Sequence, residues 1–160
     1  MIVLALLAAC WGGLRAASGS TNSPGANRLL IVEPSSMPVT AGKVVLIIGA
    51  LKRTDGGYSG DYKIKVSPLF FKSEKGRLAI IVSDESSARI GQGNAAAIIG
   101  TATTSGKGGK SRHVDVTVAP VDNDHGTLKL WFMAGDRQLI FEPAYHFGVA
   151  GKETALNPGR

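Results

Sequence analysis

Short apolar runs, rich in β-branched residues and bounded by Gly, Pro or Ser, dominate the chain after Asn27. Some of them are compact, and their length and composition favour strands over helices. Others alternate apolar with polar residues, which places successive side chains on opposite faces of a strand. The runs cover residues 29–32, 44–48, 62–66, 113–118, 128–132 and 139–141. The pattern predicts an all-β domain, and the best helix candidate is the short segment from Glu85 to Ile90.

The strand pattern repeats at an offset of about 50 residues, as residues 42–49 align with 93–100. This predicts two copies of about 50 residues, at 28–75 and 76–125, followed by a closing segment at 126–147. A three-stranded unit cannot bury its apolar face alone, so the copies must pack together. We therefore expect an antiparallel β-sandwich, or a small closed barrel, of about eight strands. The sandwich is slightly favoured.

Length and composition indicate one globular domain. The chain has 160 residues, of which 44% are hydrophobic, enough for a single core. Its 21 glycines have no regular period and indicate many turns. We divide the chain into a lipoprotein-type signal segment at 1–10, a flexible tether at 11–27, the duplicated all-β domain at 28–147 and a loose tail at 148–160.

The N-terminal segment resembles a bacterial lipobox at Leu7-Ala8-Ala9-Cys10. The resemblance implies that the Cys10 thiol is lipidated and anchors the protein to a membrane after export. It places the chain in the bacterial cell envelope, in the periplasm or on the outer face of a membrane. Two alternatives stay open: a conventional signal peptide cleaved near Ala17 or Ser18, and an N-terminal strand or helix that buries an unmodified cysteine.

No complete catalytic motif is present in the sequence. Gly109-Lys110-Ser111 resembles the end of a phosphate-binding loop, but Thr104 stands where that loop needs a glycine. No G-x-S-x-G segment marks a nucleophilic serine. We therefore expect a non-enzymatic protein without a cofactor.

The segment from Asp122 to Gly126 is the strongest alternative to this expectation. Its Asp-x-Asp-x-Gly spacing offers oxygens to a cation, although Met133 stands where a calcium loop would have its glutamate. A tight turn explains the same residues more simply. A less favoured metal-assisted hydrolase would use His113, Asp122, Asp124 and His125.

Positive charge predicts contacts with anionic partners. The net charge is +6, and Lys107, Lys110 and Arg112 cluster in one predicted hairpin loop. If the two copies pack side by side, Lys52 and Arg53 would extend this cluster into one basic rim. Such a rim favours anionic lipids or acidic polymers. No basic strand is interleaved with aromatic residues, so nucleic acid is not an expected partner.

A second candidate contact surface lies on the strand at 128–132. Alternation puts Trp131 and Lys129 together on its outer face. An outward tryptophan beside a lysine is typical of a partner-binding surface.

These observations together predict an exported, lipid-anchored envelope protein that acts as a binding or scaffold module. The alternative is a small β-barrel carrier that holds an apolar ligand in its mouth. An unfilled interior lined by apolar side chains would support the carrier.

Replacement of Cys10 by Ser tests the lipid anchor. We expect the substitution to abolish incorporation of a radiolabelled fatty acid in a bacterial host, because the serine hydroxyl cannot replace the thiol in lipidation. A matched Ser18→Ala variant should be labelled like the parent chain. Undiminished labelling of the Cys10→Ser variant would disprove lipidation at this position.

Overall fold

The computed structural model describes residues 28–40, 42–68, 73–106, 108–134 and 137–149. Cys10, the predicted tether at 11–27 and Lys107 lie outside these residues. The described residues form strands β1 (Arg28–Val32), β2 (Ser35–Val39), β3 (Gly42–Ile48), β4 (Leu51–Thr54), β5 (Gly57–Ser67), β6 (Glu74–Ile81), helix α1 (Asp84–Gly91), and strands β7 (Ala96–Thr104), β8 (Ser111–Pro120), β9 (His125–Ala134), β10 (Arg137–Phe141) and β11 (Ala144–Val149). The all-β prediction is confirmed, and α1 forms where the sequence predicted a helix.

Six of these strands are halves of three longer ones. Short breaks at 33–34, 49–50 and 142–143 separate β1 from β2, β3 from β4, and β10 from β11. Two of the breaks contain proline, which has no backbone N–H to donate to a ladder. Hydrogen bonding nevertheless continues across them; the Glu33 N–H, for example, donates to the Ala144 carbonyl at 2.9 Å. Each pair therefore acts as one bent strand.

The sheet closes on itself. Each long strand pairs antiparallel with the next along the chain, and β11 returns to pair with β1 from Arg28↔Val149 to Val32↔Tyr145. The result is an up-and-down barrel of eight long strands. The prediction of about eight antiparallel strands is confirmed, and of the two expected architectures the structure has the barrel. Closure gives the first and last strands hydrogen-bonding partners that an open sheet would leave exposed.

The meander places the turns alternately at two ends of the barrel. The helix end, as we call it, carries α1, the β4–β5 turn at 55–56 and the β8–β9 turn at 121–124. The far end carries the β2–β3 turn and the β7–β8 loop. Lys52 and Arg53 therefore lie near the opposite end from Lys110 and Arg112. The expected single basic rim is wrong, because strand direction reverses between these two hairpins.

The internal duplication stays a prediction. The predicted copy at 28–75 contains three long strands, β1–β2, β3–β4 and β5, and the copy at 76–125 contains β6, β7 and β8. Because three is odd, the second set begins in the opposite direction from the first. Rotation about the barrel axis therefore does not superpose the two sets.

The alternating pattern sorts side chains into an apolar interior and a mixed exterior. On β7, Ile98 points inward and Ile99 outward, with 8% and 54% of their surfaces exposed. Residues exposed by 1% or less include Leu46, Leu51, Leu78, Ala102, Val114, Val116, Leu128, Leu130, Phe132 and Phe141. Burial of these side chains is the main driving force for folding.

Helix α1 spans the helix end between β6 and β7. Ser83 caps its N-terminus by accepting a hydrogen bond from the Ser86 N–H at 3.2 Å. Gly93, with φ of +78°, follows its C-terminus in the left-handed conformation that glycine adopts without strain. The Ser86 hydroxyl donates to the Ala97 carbonyl at 2.9 Å and ties the helix to β7. No residue of α1 is buried, so the helix rests on the barrel without being part of its core.

Two substitutions on β6 test which side chains point into the barrel and which point out. Leu78→Ala should lower the free energy of unfolding by about 2–5 kcal/mol, because it opens a cavity at a fully buried position. Ile81→Ala, at a side chain that is 62% exposed, should change it by about 0.5 kcal/mol or less. Urea denaturation followed by circular dichroism measures both. Equal losses would contradict the assigned strand faces.

Candidate functional site

An apolar cavity of about 410 Å³ opens at the helix end. Leucine, isoleucine and valine side chains from the barrel wall form its inner surface. These residues are Leu30, Ile80, Ile98, Val118 and Leu128. Ser87, Ile90 and Gly91 of α1 line its outer side. The cavity is therefore the mouth of the barrel, partly covered by the helix.

The far half of the barrel is filled. The Phe132 ring lies 6.1 Å from the Tyr62 ring and 6.1 Å from the Phe141 ring, measured between centroids. Tyr62 donates a hydrogen bond to Glu74 at 3.0 Å, and Arg112 forms an ion pair with the same carboxylate at 2.8 Å. These polar groups close the far end of the interior. Within the described residues, the wide opening into the interior therefore lies at the helix end.

Burial raises the pKa of Tyr62 to about 12, and the neighbouring Glu74 carboxylate adds to the effect. The hydroxyl thus stays protonated and remains a hydrogen-bond donor. Because Glu74 accepts hydrogen bonds from both Tyr62 and Arg112, it links β5, β6 and β8 at this end.

Three aromatic side chains form one wall of the cavity. The Phe147 ring stands between Tyr58, at 6.0 Å, and Tyr145, at 5.8 Å. The Arg28 guanidinium lies 4.4 Å from the centre of the Phe147 ring and also pairs with Asp124. A cation over an aromatic face is attractive, so Arg28 helps to fix Phe147 in place.

Tyr145 is the buried polar residue of this wall. It is 4% exposed, yet its hydroxyl makes no hydrogen bond to any residue that the structure describes. No fully enclosed polar atom among these residues lacks a partner, so the hydroxyl oxygen is accessible to water, and the residue lines the cavity. Gly126 makes room for the ring: a Cβ there would lie 2.6 Å from the Tyr145 Oη. Burial raises the pKa of Tyr145, with smaller contributions from Asp122 and Tyr58, so the hydroxyl is a donor at neutral pH.

Two charged residues lie at the rim. Arg53 follows Leu51 at a spacing of two on β4, so it shares the inward face with that fully buried leucine. It forms no ion pair within the described part of the chain, and it pairs in register with Tyr58. Asp84, in the first turn of α1, also lines the cavity. Among the residues that line the cavity, these two carry opposite charges.

The predicted partner-contact residues do not share one surface. Lys129 and Trp131 lie on the outer wall, with the Lys129 Nζ 5.6 Å from the Trp131 ring and 2.7 Å from a Glu142 oxygen. Lys110 is exposed at the far end. Arg112 is instead half-buried and engaged with Glu74, so it is not an open surface cation.

Trp131 belongs to a transverse row of outward residues across four strands. Ile99, Asp115, Trp131 and Ile140 follow one another in register on β7, β8, β9 and β10. Ile99 and Ile140 are exposed. The row is largely apolar on a solvent-facing wall.

The residues of the metal alternative lie in two places. His113 contacts Asp115 at 2.9 Å, whereas His125 contacts Asp122 at 3.1 Å. At about 3.3 Å per strand residue, His113 lies roughly 23 Å from Pro120, which pairs with Gly126 beside His125. Among the described residues no three His, Cys, Asp or Glu side chains are placed to hold a metal ion.

Asp122 and Asp124 shape the β8–β9 turn. Asp122 accepts hydrogen bonds from the Asp124 and His125 N–H groups at 2.7 Å, and these bonds lower its pKa. Asp124 pairs with Arg28 and accepts a hydrogen bond from the Phe147 N–H at its carbonyl. In the structure this segment is a tight turn at the cavity rim.

The sequence analysis did not identify Tyr58 or Tyr145 as site residues. Tyr58 lies in a segment with glycines at 56, 57 and 60, and Tyr145 lies in an aromatic-rich segment near Phe141 and Phe147. The spacing of two between Tyr58, Gly60 and Tyr62 is the signal that places Tyr58 inside the barrel. No comparable signal shows that the Tyr145 hydroxyl faces a cavity.

No protein family model, curated protein or solved structure gives a significant match to this chain. In the part of the chain that the structure describes, no helix is both long and apolar enough to cross a membrane. The site is therefore interpreted from its own geometry.

Ionisation of the Tyr62 hydroxyl should lower the free energy of unfolding at alkaline pH. Its folded pKa lies above the unfolded value of 10.0, so its contribution is complete below pH 10 and is lost as pH rises towards about 12. We expect the free energy of unfolding, measured by urea denaturation, to fall by about 1–2 kcal/mol over that pH range because of this group. Tyr62→Phe should reduce the decline, leaving a part due to Tyr145. An unchanged alkaline decline in Tyr62→Phe would contradict the assignment.

Proposed function

We propose that this protein binds a small, largely apolar molecule in the mouth of its barrel. The observation that carries the proposal is the 410 Å³ apolar cavity at the helix end of an otherwise packed interior. Pockets that hold small molecules commonly measure about 300–1,000 Å³ and are lined mostly by apolar side chains. This cavity falls in that range, and its inner surface is formed by apolar side chains.

An empty cavity of this size lowers the stability of a fold. Protein interiors pack about as densely as organic crystals, and side chains that line a gap lose dispersion contacts. The same chain fills its far half with Tyr62, Phe132 and Phe141. The unfilled half is therefore a specific feature of the helix end, and an apolar ligand would restore the missing contacts.

The way α1 is held supports reversible access. The helix covers the cavity with Ser87, Ile90 and Gly91 but buries none of its own residues. Elements with few buried contacts open at low free-energy cost. A ligand could then enter by displacement of the helix without disruption of the barrel core.

We further propose that this binding takes place in the bacterial cell envelope, with the protein anchored through Cys10. The support is the lipobox resemblance at residues 7–10, which lies outside the described part of the chain. An anchored carrier suits ligands of low water solubility, since it keeps them close to a membrane. The proposal includes no catalytic step.

A second candidate function is that of a scaffold that binds another envelope protein. The outward row with Ile99, Trp131 and Ile140 supports it, because apolar side chains are clustered on a solvent-facing wall. Lys129 lies beside this row and supplies a charged margin. Native mass spectrometry separates the two functions: retained small-molecule mass supports the carrier, and a bare dimer supports a protein contact through the outer wall.

Two neighbouring substitutions on β7 test the carrier with N-phenyl-1-naphthylamine, a neutral fluorescent apolar probe. Ile98→Phe should weaken probe binding by about tenfold or more, because the larger ring occupies cavity volume. Ile99→Phe adds the same ring to the outer face and should leave affinity within about twofold. Fluorescence titration gives both dissociation constants.

Unfolding midpoints of the two variants show whether each remains folded. Binding that is equal in the parent chain and in a folded Ile98→Phe variant would place the probe outside the cavity. An absence of probe binding to the parent chain would count against the carrier itself.

A further inference from the structure

We propose that the ligand of the cavity is an amphiphile with an anionic, oxygen-bearing head, which Tyr145, Tyr58 and Arg53 recognise together. The inference rests on the proposed function and specifies its ligand class. A carboxylate on an apolar chain is the simplest molecule of this kind. Its head would face the rim, and its chain would contact the apolar inner surface of the cavity.

The Tyr145 hydroxyl is the first observation. Its side chain is 4% exposed and lines the cavity, yet the hydroxyl has no hydrogen-bond partner among the described residues. Hydroxyl groups in proteins are nearly always hydrogen-bonded, and no enclosed polar atom among the described residues lacks a partner, so this hydroxyl is accessible to water. Because Tyr145 lines the cavity, a ligand oxygen held there would replace water as the acceptor.

The Arg53 guanidinium is the second observation. It lines the rim of the cavity from the exposed end of β4 and forms no ion pair within the described residues. Of the two other arginines that the structure describes at this end, Arg28 is already engaged with Asp124 and Phe147, and Arg89, in the last turn of α1, does not line the cavity. Arginine binds carboxylates through two parallel N–H donors, so Arg53 is suited to an anionic head.

Tyr58 connects these two groups. It pairs in register with Arg53 on the neighbouring strand, and both residues line the cavity. It also lies near enough to Tyr145 to influence that hydroxyl, and the two rings flank Phe147. The three donors therefore lie along one side of the opening, where a head with two oxygens could accept from them.

The rest of the cavity suits an apolar chain. Leu30, Ile80 and Ile98 lie on its inner surface and carry no polar side-chain atom. The acidic residues that would oppose an anion are Asp84, on α1 at the same rim, and Asp122, whose charge already acts on the Tyr145 hydroxyl. The Asp84 charge is expected to reduce affinity for a carboxylate, which provides an independent test of the head's position.

The experiment compares decanoate with 1-decanol, which keeps an oxygen acceptor but has no charge. Isothermal titration calorimetry on the full 160-residue chain should show decanoate binding at least tenfold more tightly than decanol. Arg53→Gln should weaken decanoate at least tenfold and change decanol less than twofold. Lys52→Gln removes the same charge from an outward position on β4 and should leave both affinities within twofold.

Two further variants locate the head. Tyr145→Phe keeps the buried ring and removes only the hydroxyl, so the fold should persist while both ligands weaken about three- to tenfold. Asp84→Asn should strengthen decanoate about two- to fivefold and leave decanol unchanged, since it removes a like charge at the rim.

The outcomes separate the two proposals. If decanol or the neutral fluorescent probe binds but decanoate binds no more tightly than decanol, the anionic head is wrong and the apolar carrier stands. The same conclusion follows if Arg53→Gln does not weaken decanoate more than decanol. If Tyr145→Phe leaves both affinities unchanged, this hydroxyl does not contact the ligand and the shared recognition fails. If none of the three molecules binds, the carrier and this inference both fail.

Discussion

The hydrogen-bonded pairing of β1 with β11 is the constraint on which the rest of this structure depends. It joins the two ends of an eight-stranded meander, so that every inward side chain faces one shared interior. Without it the first and last strands would expose unpaired backbone groups, and the apolar faces would need another layer to cover them. Closure also orders the turns into two ends with different roles: one sealed by polar contacts and one left open beneath a helix.

The two halves of the interior differ because their aromatic residues are used differently. In the far half, Tyr62, Phe132 and Phe141 pack against one another and fill the cross-section. At the helix end, Tyr145 lies over Gly126, where the missing Cβ lets the ring approach the wall. The ring therefore lines the barrel and does not cross it. This arrangement leaves the cavity open and exposes a phenolic hydroxyl inside it.

The rim on the β8–β9 side is held by short-range polar contacts. Asp122 organises its turn through backbone N–H donors, and Asp124 connects that turn to both Arg28 and the Phe147 backbone. Helix α1 is held less firmly, by the Ser86–Ala97 hydrogen bond and modest packing. A fixed rim beside a loosely held cover suits a site that keeps its shape while a ligand enters and leaves. Asp122, Asp124 and His125, considered above for a metal site, therefore belong to the framework of the opening, whereas His113 lies apart from it.

The sequence by itself determined the class of fold and the local pattern of exposure. Alternation on β9 placed Lys129 with Trp131 on the outer face, because side-chain direction in a strand depends only on parity. The segment from Glu85 to Ile90 was likewise predicted as a helix, and α1 includes it. Only the tertiary structure decided that the sheet closes into a barrel, that the two basic hairpins lie at opposite ends, and that Arg112 pairs with Glu74. It also decided that the Tyr145 hydroxyl faces a cavity. These features depend on which distant strands become neighbours and on how completely side chains fill a common volume, and neither is encoded in the local alternation of residues.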